Sequence, residues 1–166
     1  MPVPRKADTS TSTGTPYHSP VIAIRGLWAQ YLGPFPTIWG YKWLYVAIDK
    51  FTKWPEATAV AKANKNSALK FIKDLVARFG VPNRIITDNG TQFTNNLFGD
   101  YCDDMGIKLC FASVAHPRIN GQAERANAEI LRGLKTRTYN ELKKHWSGWI
   151  NELPAVVWAN HTTPNL

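Results

Sequence analysis

The stretch RIITDNGTQF, residues 84–93, combines a short β-prone run with an aspartate and a tight turn. Arg84 to Thr87 is apolar at its centre and β-branched, which predicts a strand buried within a sheet. Asp88 follows at the carboxyl end, and Asn89-Gly90 turns the chain. Ligand sites of open α/β sheets lie outside the carboxyl ends of strands, so Asp88 is a candidate site residue. A purely turn-forming aspartate is the competing interpretation, and the spacing alone leaves both open.

The segments around this stretch alternate between strand and helix patterns. The order is three strands, a helix, a strand, a helix, a strand and a long helix, which predicts an α/β domain with a mixed sheet. The short helical segment after residues 84–87 predicts a parallel crossover to the next strand. We expect Asn66 or Ser67 to cap the first helix and Asn120 to cap the long one. The predicted strands are 27–32, 43–48, 57–60, 84–87 and 107–111, and the predicted helices are 66–79, 95–105, 121–144 and 149–158.

Composition indicates a basic globular domain. The 166 residues include 20 Lys+Arg against 12 Asp+Glu, a formal net charge of +8. This balance favours a polyanionic partner, with nucleic acid ahead of a membrane surface. No apolar run approaches the ~18 residues of a membrane span. Residues 1–26, rich in Ser, Thr and Pro, are predicted to be a disordered leader, and residues 27–166 form one domain.

Cysteines and tryptophans are assigned to the interior. Cys102 and Cys110 are interpreted as buried small residues rather than metal ligands. Trp43 and Trp158 are predicted to lie in the core. Trp39 lies in the loop after Pro36, where exposure is the alternative, and core packing is the favoured expectation.

Glu124 is the second candidate carboxylate, because it lies in the first turn of the long helix at the border of its apolar arc. Two carboxylates that converge from a strand end and a helix start can bind Mg²⁺. A glutamate stabilised by the helix dipole is the competing interpretation. Basic residues surround Glu124 and are candidate phosphate contacts, although a solvated basic face is the alternative. The candidate nucleic-acid-binding residues are Arg118, Asn120, Arg125, Arg132 and Lys135, and Arg137 belongs to the same basic cluster.

Several motifs occur in an order that resembles the integrase catalytic core of gypsy-type LTR retrotransposons. They are GPFP (33–36), YVAIDKFTKWPEA (45–57), IITDNGTQF (85–93), HPRINGQAERAN (116–127) and WANHTTP (158–164). The resemblance implies an RNase H-like fold, a five-stranded mixed sheet flanked by helices on both faces. It also implies DNA integration chemistry that depends on Mg²⁺ or Mn²⁺, with Asp88 and Glu124 as two of three catalytic metal ligands.

The first catalytic aspartate of that family does not carry over. The family places it three residues before the Gly-Pro pair, and that position here is Gln30. No carboxylate occurs between Asp8 and Asp49, so a shift of register cannot supply one. Asp49 resembles the family's non-catalytic aspartate of the second strand. We therefore predict a nucleic-acid-binding integrase core with impaired polynucleotidyl transfer and a weakened Mg²⁺ site.

Two alternatives remain open at this stage. One is a non-enzymatic DNA-binding or dimerisation module derived from an integrase, and the other is an active metal-dependent strand-transferase. The expected partner is DNA, and a homodimer is a further candidate assembly. The resemblance implies that the protein is located in the nucleus. We expect no zinc, no small-molecule cofactor and no membrane partner, and the chain is interpreted as a core truncated at its C-terminus.

Overall fold

A computed structural model describes residues 25–112, 121–145 and 148–162, except for the side chains of 121–128, 130, 131 and 162. Almost all of the predicted leader, as well as Arg118 and Asn120, lies outside these residues. Within the described part, no helix is long and apolar enough to cross a bilayer.

The described elements match the predicted order. The strands are β1 (Gly26–Leu32), β2 (Trp43–Asp49), β3 (Pro55–Val60), β4 (Arg84–Thr87) and β5 (Lys108–Phe111). The helices are α1 (Lys65–Phe79), α2 (Asn96–Asp104), α3 (Gly121–Lys144) and α4 (Trp149–Thr162). The predicted bounds of α3 and of β4 agree with the structure, and α4 extends four residues beyond its predicted end.

The five strands form one mixed sheet in the order β3-β2-β1-β4-β5. β1 pairs antiparallel with β2 and parallel with β4, and β4 pairs parallel with β5. The predicted parallel crossover through α2 is therefore confirmed. Because β1 and β4 run the same way, their carboxyl ends meet at one edge of the sheet, which we call the site edge. The carboxyl end of β2 lies at the opposite edge, which we call the far edge.

Each face of the sheet carries its own apolar layer, as expected of a sheet with helices on both sides. Alternate strand residues such as Ala29 and Tyr45 pack with α1 and α2 on one face. Their neighbours Trp28 and Leu44 pack with α3 and α4 on the other. Every strand residue of β2 except Trp43 is buried, which agrees with a strand covered on both faces.

Helix α4 is fixed to the sheet at both edges. At the site edge, Trp149 is fully buried and its Nε1 donates to the carbonyl oxygen of Pro36 at 2.6 Å. At the far edge, a ring nitrogen of His161 hydrogen-bonds to the carbonyl oxygen of Pro55. The His161 ring also stacks on Trp54 with the ring centroids 3.6 Å apart. A helix of 14 residues is about 21 Å long, enough to span the sheet between these two contacts.

The predicted cap of α1 is wrong. Asn64 is the N-cap, and its side chain accepts from the backbone of Asn66 and Ser67, both at 3.0 Å. Ser67 completes a capping box through the Asn64 amide. Helix α1 therefore begins about one turn before the first apolar residue of its period, Ala68, because the polar cap lies outside the periodic residues. Gly80 ends the helix as predicted.

Two of the three tryptophan predictions are also wrong. Trp39 and Trp158 are 73% and 66% exposed, whereas Trp43 is half-buried. Trp39 lies at the tip of a turn, and Trp158 lies on the outer side of α4, so neither can reach an apolar layer.

The cysteine prediction holds for Cys102 only. Cys102 is buried, and burial raises the pKa of its thiol to about 11, so it is neutral at physiological pH. Cys110 on β5 is half-buried, because β5 is the outermost strand and has a neighbouring strand on one side only. The helical spacing of Leu97, Phe98, Tyr101 and Met105 predicts one packed face, yet Leu97 is exposed on α2 and Met105 is exposed at its C-cap.

Candidate catalytic site

The strand register brings Gln30 and Asp88 together at the site edge. Ala29 of β1 pairs with Thr87 of β4, so the next residues along the two strands are Gln30 and Asp88. Both side chains are half-buried. The sheet thus places a neutral amide beside the candidate carboxylate.

Asp88 also shapes the turn that follows it. The backbone N–H of Gly90 donates to Asp88 Oδ1 at 3.1 Å, which is an Asx-type turn. The Thr87 hydroxyl donates to the Asp88 carbonyl oxygen at 3.0 Å. The turn-forming interpretation is therefore confirmed, and it does not compete with a site role, because Oδ2 takes no part in this bond.

The segment after Asp88 is packed around Gly90 and Gln92. A Cβ on residue 90 would lie 2.6 Å from Gln92 Nε2 and 2.8 Å from its Cδ, so a larger residue there would push the end of the Gln92 side chain away. Gln92 is 5% exposed, and its Nε2 has no hydrogen-bond partner among the described residues. The loop that carries Asp88 is thus held by packing.

Asn95 fixes the same loop to α2. Its Nδ2 donates to the carbonyl oxygens of Thr91 at 3.0 Å and Gln92 at 2.8 Å. Its Oδ1 accepts from the backbone N–H of Phe98 at 3.0 Å, which caps α2. The sequence prediction did not include Gln92 or Asn95, although an asparagine before a helical period is a recognisable cap signal.

Helix α3 lies on the sheet face that includes the residues flanking Gln30. Trp28 and Leu32 on β1 belong to the same buried layer as Leu142, and Leu134 packs against that layer. Glu124 lies in the first turn of α3, and its side chain is outside the described residues. The meeting of Glu124 with Asp88 remains a prediction.

The predicted basic cluster is described in part. Arg132 is exposed and Lys135 is half-buried on α3. Arg137 instead hydrogen-bonds across to Asn160 Oδ1 of α4 at 3.4 Å. Arg118, Asn120 and the side chain of Arg125 lie outside the described residues. The described side chains contain no group of three or more His, Cys, Asp or Glu that could hold a metal ion.

Comparison with known proteins identifies the family. Residues 27–117 match the model of the integrase core domain, which is more than half of the chain. The chain therefore belongs to the integrase core domain family.

Curated relatives agree with this assignment. The chain is 32% identical over 130 residues to the Gag-Pol polyprotein of feline leukemia virus, covering 78% of this chain. It is 32% identical over 142 residues to the Pro-Pol polyprotein of simian foamy virus type 3 (strain LK3), covering 84% of this chain. These matches span 7% and 12% of the two polyproteins. The gypsy-type assignment within the family remains a prediction.

Solved structures support the fold. The HTLV-2 integrase catalytic core domain in complex with magnesium (trimeric form) aligns with a TM-score of 0.60 and 18% identity, over 84% of this chain and 86% of that one. A chain of the simian T-cell lymphotropic virus intasome in complex with PP2A regulatory subunit B56 gamma aligns with a TM-score of 0.59 and 21% identity. It covers 88% of this chain and 57% of that one. The RNase H-like prediction is confirmed.

Proposed function

We propose that this chain is a DNA-binding integrase core whose polynucleotidyl transfer is impaired by the glutamine at position 30. The observation that carries the proposal is the pairing of Ala29 with Thr87, which puts Gln30 and Asp88 next in line at the carboxyl ends of neighbouring parallel strands. A further metal-binding carboxylate would have to stand at position 30, where the chain has a glutamine. No Asp or Glu occurs from residue 9 to residue 48 to replace it.

Asp88 and Glu124 are the residues that would hold a divalent cation. Their carboxylates suit Mg²⁺, which prefers oxygen ligands in an octahedral arrangement completed by water. When bound, paired ions at such a site activate an attacking oxygen and stabilise a leaving oxygen of a phosphodiester. Asp88 would supply a carboxylate oxygen from a loop that Gly90 and Asn95 keep in place.

Gln30 limits what this donor set can do. Its amide offers one carbonyl oxygen and no negative charge, so it is a poor bridge between two cations. Two carboxylates fit a single ion, and the residues present do not fit a second. Charge that develops on the reacting oxygens would therefore be stabilised on one side only.

Phosphate contacts supply the DNA-binding part of the proposal. The net charge is +8, and Arg132 extends into solvent from α3. Binding through such residues is independent of sequence and weakens steeply with salt. Action in the nucleus is part of the same proposal, because DNA is the expected partner. Association into a homodimer is also part of it.

Mg²⁺ calorimetry and disintegration of a branched DNA test the proposal on three versions of the chain. Gln30→Asp adds the missing carboxylate, and Gln30→Asn is a matched control with the same shorter side chain and no charge. We expect Gln30→Asp to bind Mg²⁺ on the order of tenfold more tightly than either neutral version. We also expect it alone to process the branched substrate detectably.

Three results would overturn parts of the proposal. Efficient disintegration by the unmodified chain, abolished in Asp88→Asn, would show an active strand-transferase. No DNA binding at low salt by any version would remove the nucleic-acid-binding role. Binding without turnover in all three versions, including Gln30→Asp, would favour a non-enzymatic DNA-binding module.

A further inference from the structure

A two-residue hairpin at the site edge presents an exposed tryptophan. Ile38 and Tyr41 exchange both backbone hydrogen bonds, with N···O distances of 3.0 and 2.9 Å. The two residues between them, Trp39 and Gly40, have φ values of 50° and 84°. Positive φ at both central positions defines a type I′ turn.

Tryptophan is a poor choice for this turn. Type I′ turns favour Asn-Gly or Gly-Gly, and a bulky residue with positive φ is rare and unfavourable. Burial does not offset the cost, because Trp39 is 73% exposed. A local rule broken without a packing gain is typical of functional positions.

The base of the hairpin is rigid. The Phe35 ring packs between Trp149, at a centroid distance of 4.9 Å, and Tyr139, at 5.2 Å. The Phe35 N–H donates to the Lys42 carbonyl oxygen at 2.7 Å, and Trp149 Nε1 holds Pro36. The exposed indole is therefore held on a fixed support, which lowers the entropy cost of a contact.

The charge around the hairpin suits a polyanion. The hairpin follows β1 and so lies at the edge where Gln30 and Asp88 meet. Lys42 is exposed beside it, and residues 9–48 contain no carboxylate. A nucleic acid can approach this edge without repulsion from the hairpin.

We propose that Trp39 is a stacking platform for an unpaired nucleobase of DNA bound at the site edge, with Lys42 contacting the adjacent phosphate. The inference rests on the proposed DNA-binding function and adds the form of DNA that the site prefers. Aromatic stacking tolerates any base and contributes substantially per base, so the preference is for unpaired strands rather than for a sequence.

Fluorescence anisotropy of the full chain at low salt tests this, with a labelled single-stranded oligonucleotide and a blunt duplex of equal charge. Trp39→Asn removes the ring and suits the type I′ turn, so folding is preserved. We expect it to weaken single-strand binding by about fivefold or more, with duplex binding almost unchanged. Trp39→Phe should retain part of the affinity, whereas Trp39→Leu should not.

Phe51→Ala is the matched control, because Phe51 is 72% exposed at the far edge between Lys50 and Lys53. Equal losses in Trp39→Asn and Phe51→Ala would overturn the inference, and so would full affinity in Trp39→Leu. The inference would also be overturned if Trp39→Asn changed the oligomeric state of the chain without DNA, because the hairpin would then contact a second copy. If the unmodified chain binds neither DNA, the proposed function itself fails.

Discussion

Asp49 is the last residue of β2, and Asp88 follows β4. Each aspartate begins a turn, yet the two lie at opposite edges of the sheet. Asp49 is 2% exposed, and its Oδ2 accepts from both the N–H and the hydroxyl of Thr52 at 2.7 Å. Asp88 is half-buried, and its Oδ1 accepts one backbone bond at 3.1 Å. Similar sequence contexts thus give two different carboxylates. That of Asp49 is buried and accepts two hydrogen bonds, which we call closed, and that of Asp88 is half-buried and accepts one, which we call open.

The residue that closes the turn makes the difference. Thr52 brings a hydroxyl to the carboxylate of Asp49, whereas Gly90 brings only its N–H to Asp88. The two edges differ in the same way in their exposed rings. The Arg25 guanidinium lies 5.4 Å from the Phe51 ring centroid, while Trp39 extends from its turn. Asp49 and Phe51 at the far edge are thus engaged by neighbouring side chains, whereas Asp88 and Trp39 at the site edge make fewer such contacts.

The largest expected effect concerns the two anchors of α4. Trp149→Ala should destabilise the domain by about 3–5 kcal/mol, because it removes a buried indole and leaves a cavity beside Phe35. His161→Ala at the far edge should cost about 1 kcal/mol, since it removes one hydrogen bond and one stack. Urea denaturation measures both values. A larger loss for His161→Ala would mean that the far edge, not the site edge, holds α4.

The two aspartates should differ next in size. Asp49→Ala should lower the free energy of unfolding by about 2–3 kcal/mol, because two hydrogen bonds to a buried carboxylate disappear. Asp88→Ala should cost about 1 kcal/mol or less and abolish any Mg²⁺ binding. Thermal melts with and without Mg²⁺ check both effects. Equal destabilisation would contradict the distinction between closed and open carboxylates.

Glycine substitutions test how tightly the Asp88 loop is packed. Gly90→Ala should destabilise by about 1–2 kcal/mol, because its Cβ would lie 2.6 Å from Gln92 Nε2. Gly99→Ala in α2 is the control, since a Cβ there meets nothing within 4 Å. The control should stabilise by about 0.5–1 kcal/mol through helix propensity. Chemical denaturation of both variants gives the signs, and a stable Gly90→Ala would show that Gln92 moves freely.

The smallest expected effect is on the salt dependence of DNA binding. Replacing Arg125, Arg132 and Lys135 with alanine should reduce the slope of log affinity against log salt by about one unit per lost phosphate contact. Replacing Lys70, Lys73 and Arg78, all exposed on α1, removes equal charge from the other face of the sheet. That control should leave the slope nearly unchanged in a salt titration. An unchanged slope in the α3 variant would place the DNA surface elsewhere.

Much of the fold follows from the sequence because its signals are local. The apolar runs of β2 and β4 and the period of α3 predicted those elements and the crossover through α2. The exposure of Trp39 and Trp158 did not follow, because hydrophobicity predicts burial only where the fold brings another layer.

Of the two predicted carboxylates, the structure describes the side chain of Asp88 only, and the role of both stays a prediction. Asp88 was a candidate because it follows a buried strand, although the spacing left a turn-forming role equally open, and its place at the carboxyl end of β4 agrees with the predicted elements. Gln92 and Asn95 were missed, because their contacts with Gly90, Thr91 and Phe98 depend on the folded loop. Short polar residues in a loop have no period that reveals such contacts.

The anchors of α4 also determine when the domain can fold during synthesis. Trp149 bonds a residue 113 positions earlier, and His161 bonds one 106 positions earlier. A ribosome therefore releases β1, β2 and β4 well before α3 and α4, the two helices that cover the face of Trp28, Leu32 and Ile86. Until both helices have emerged, part of this face is open to other chains. Closing loops of this length is slow, so the nascent chain is vulnerable to aggregation at that face.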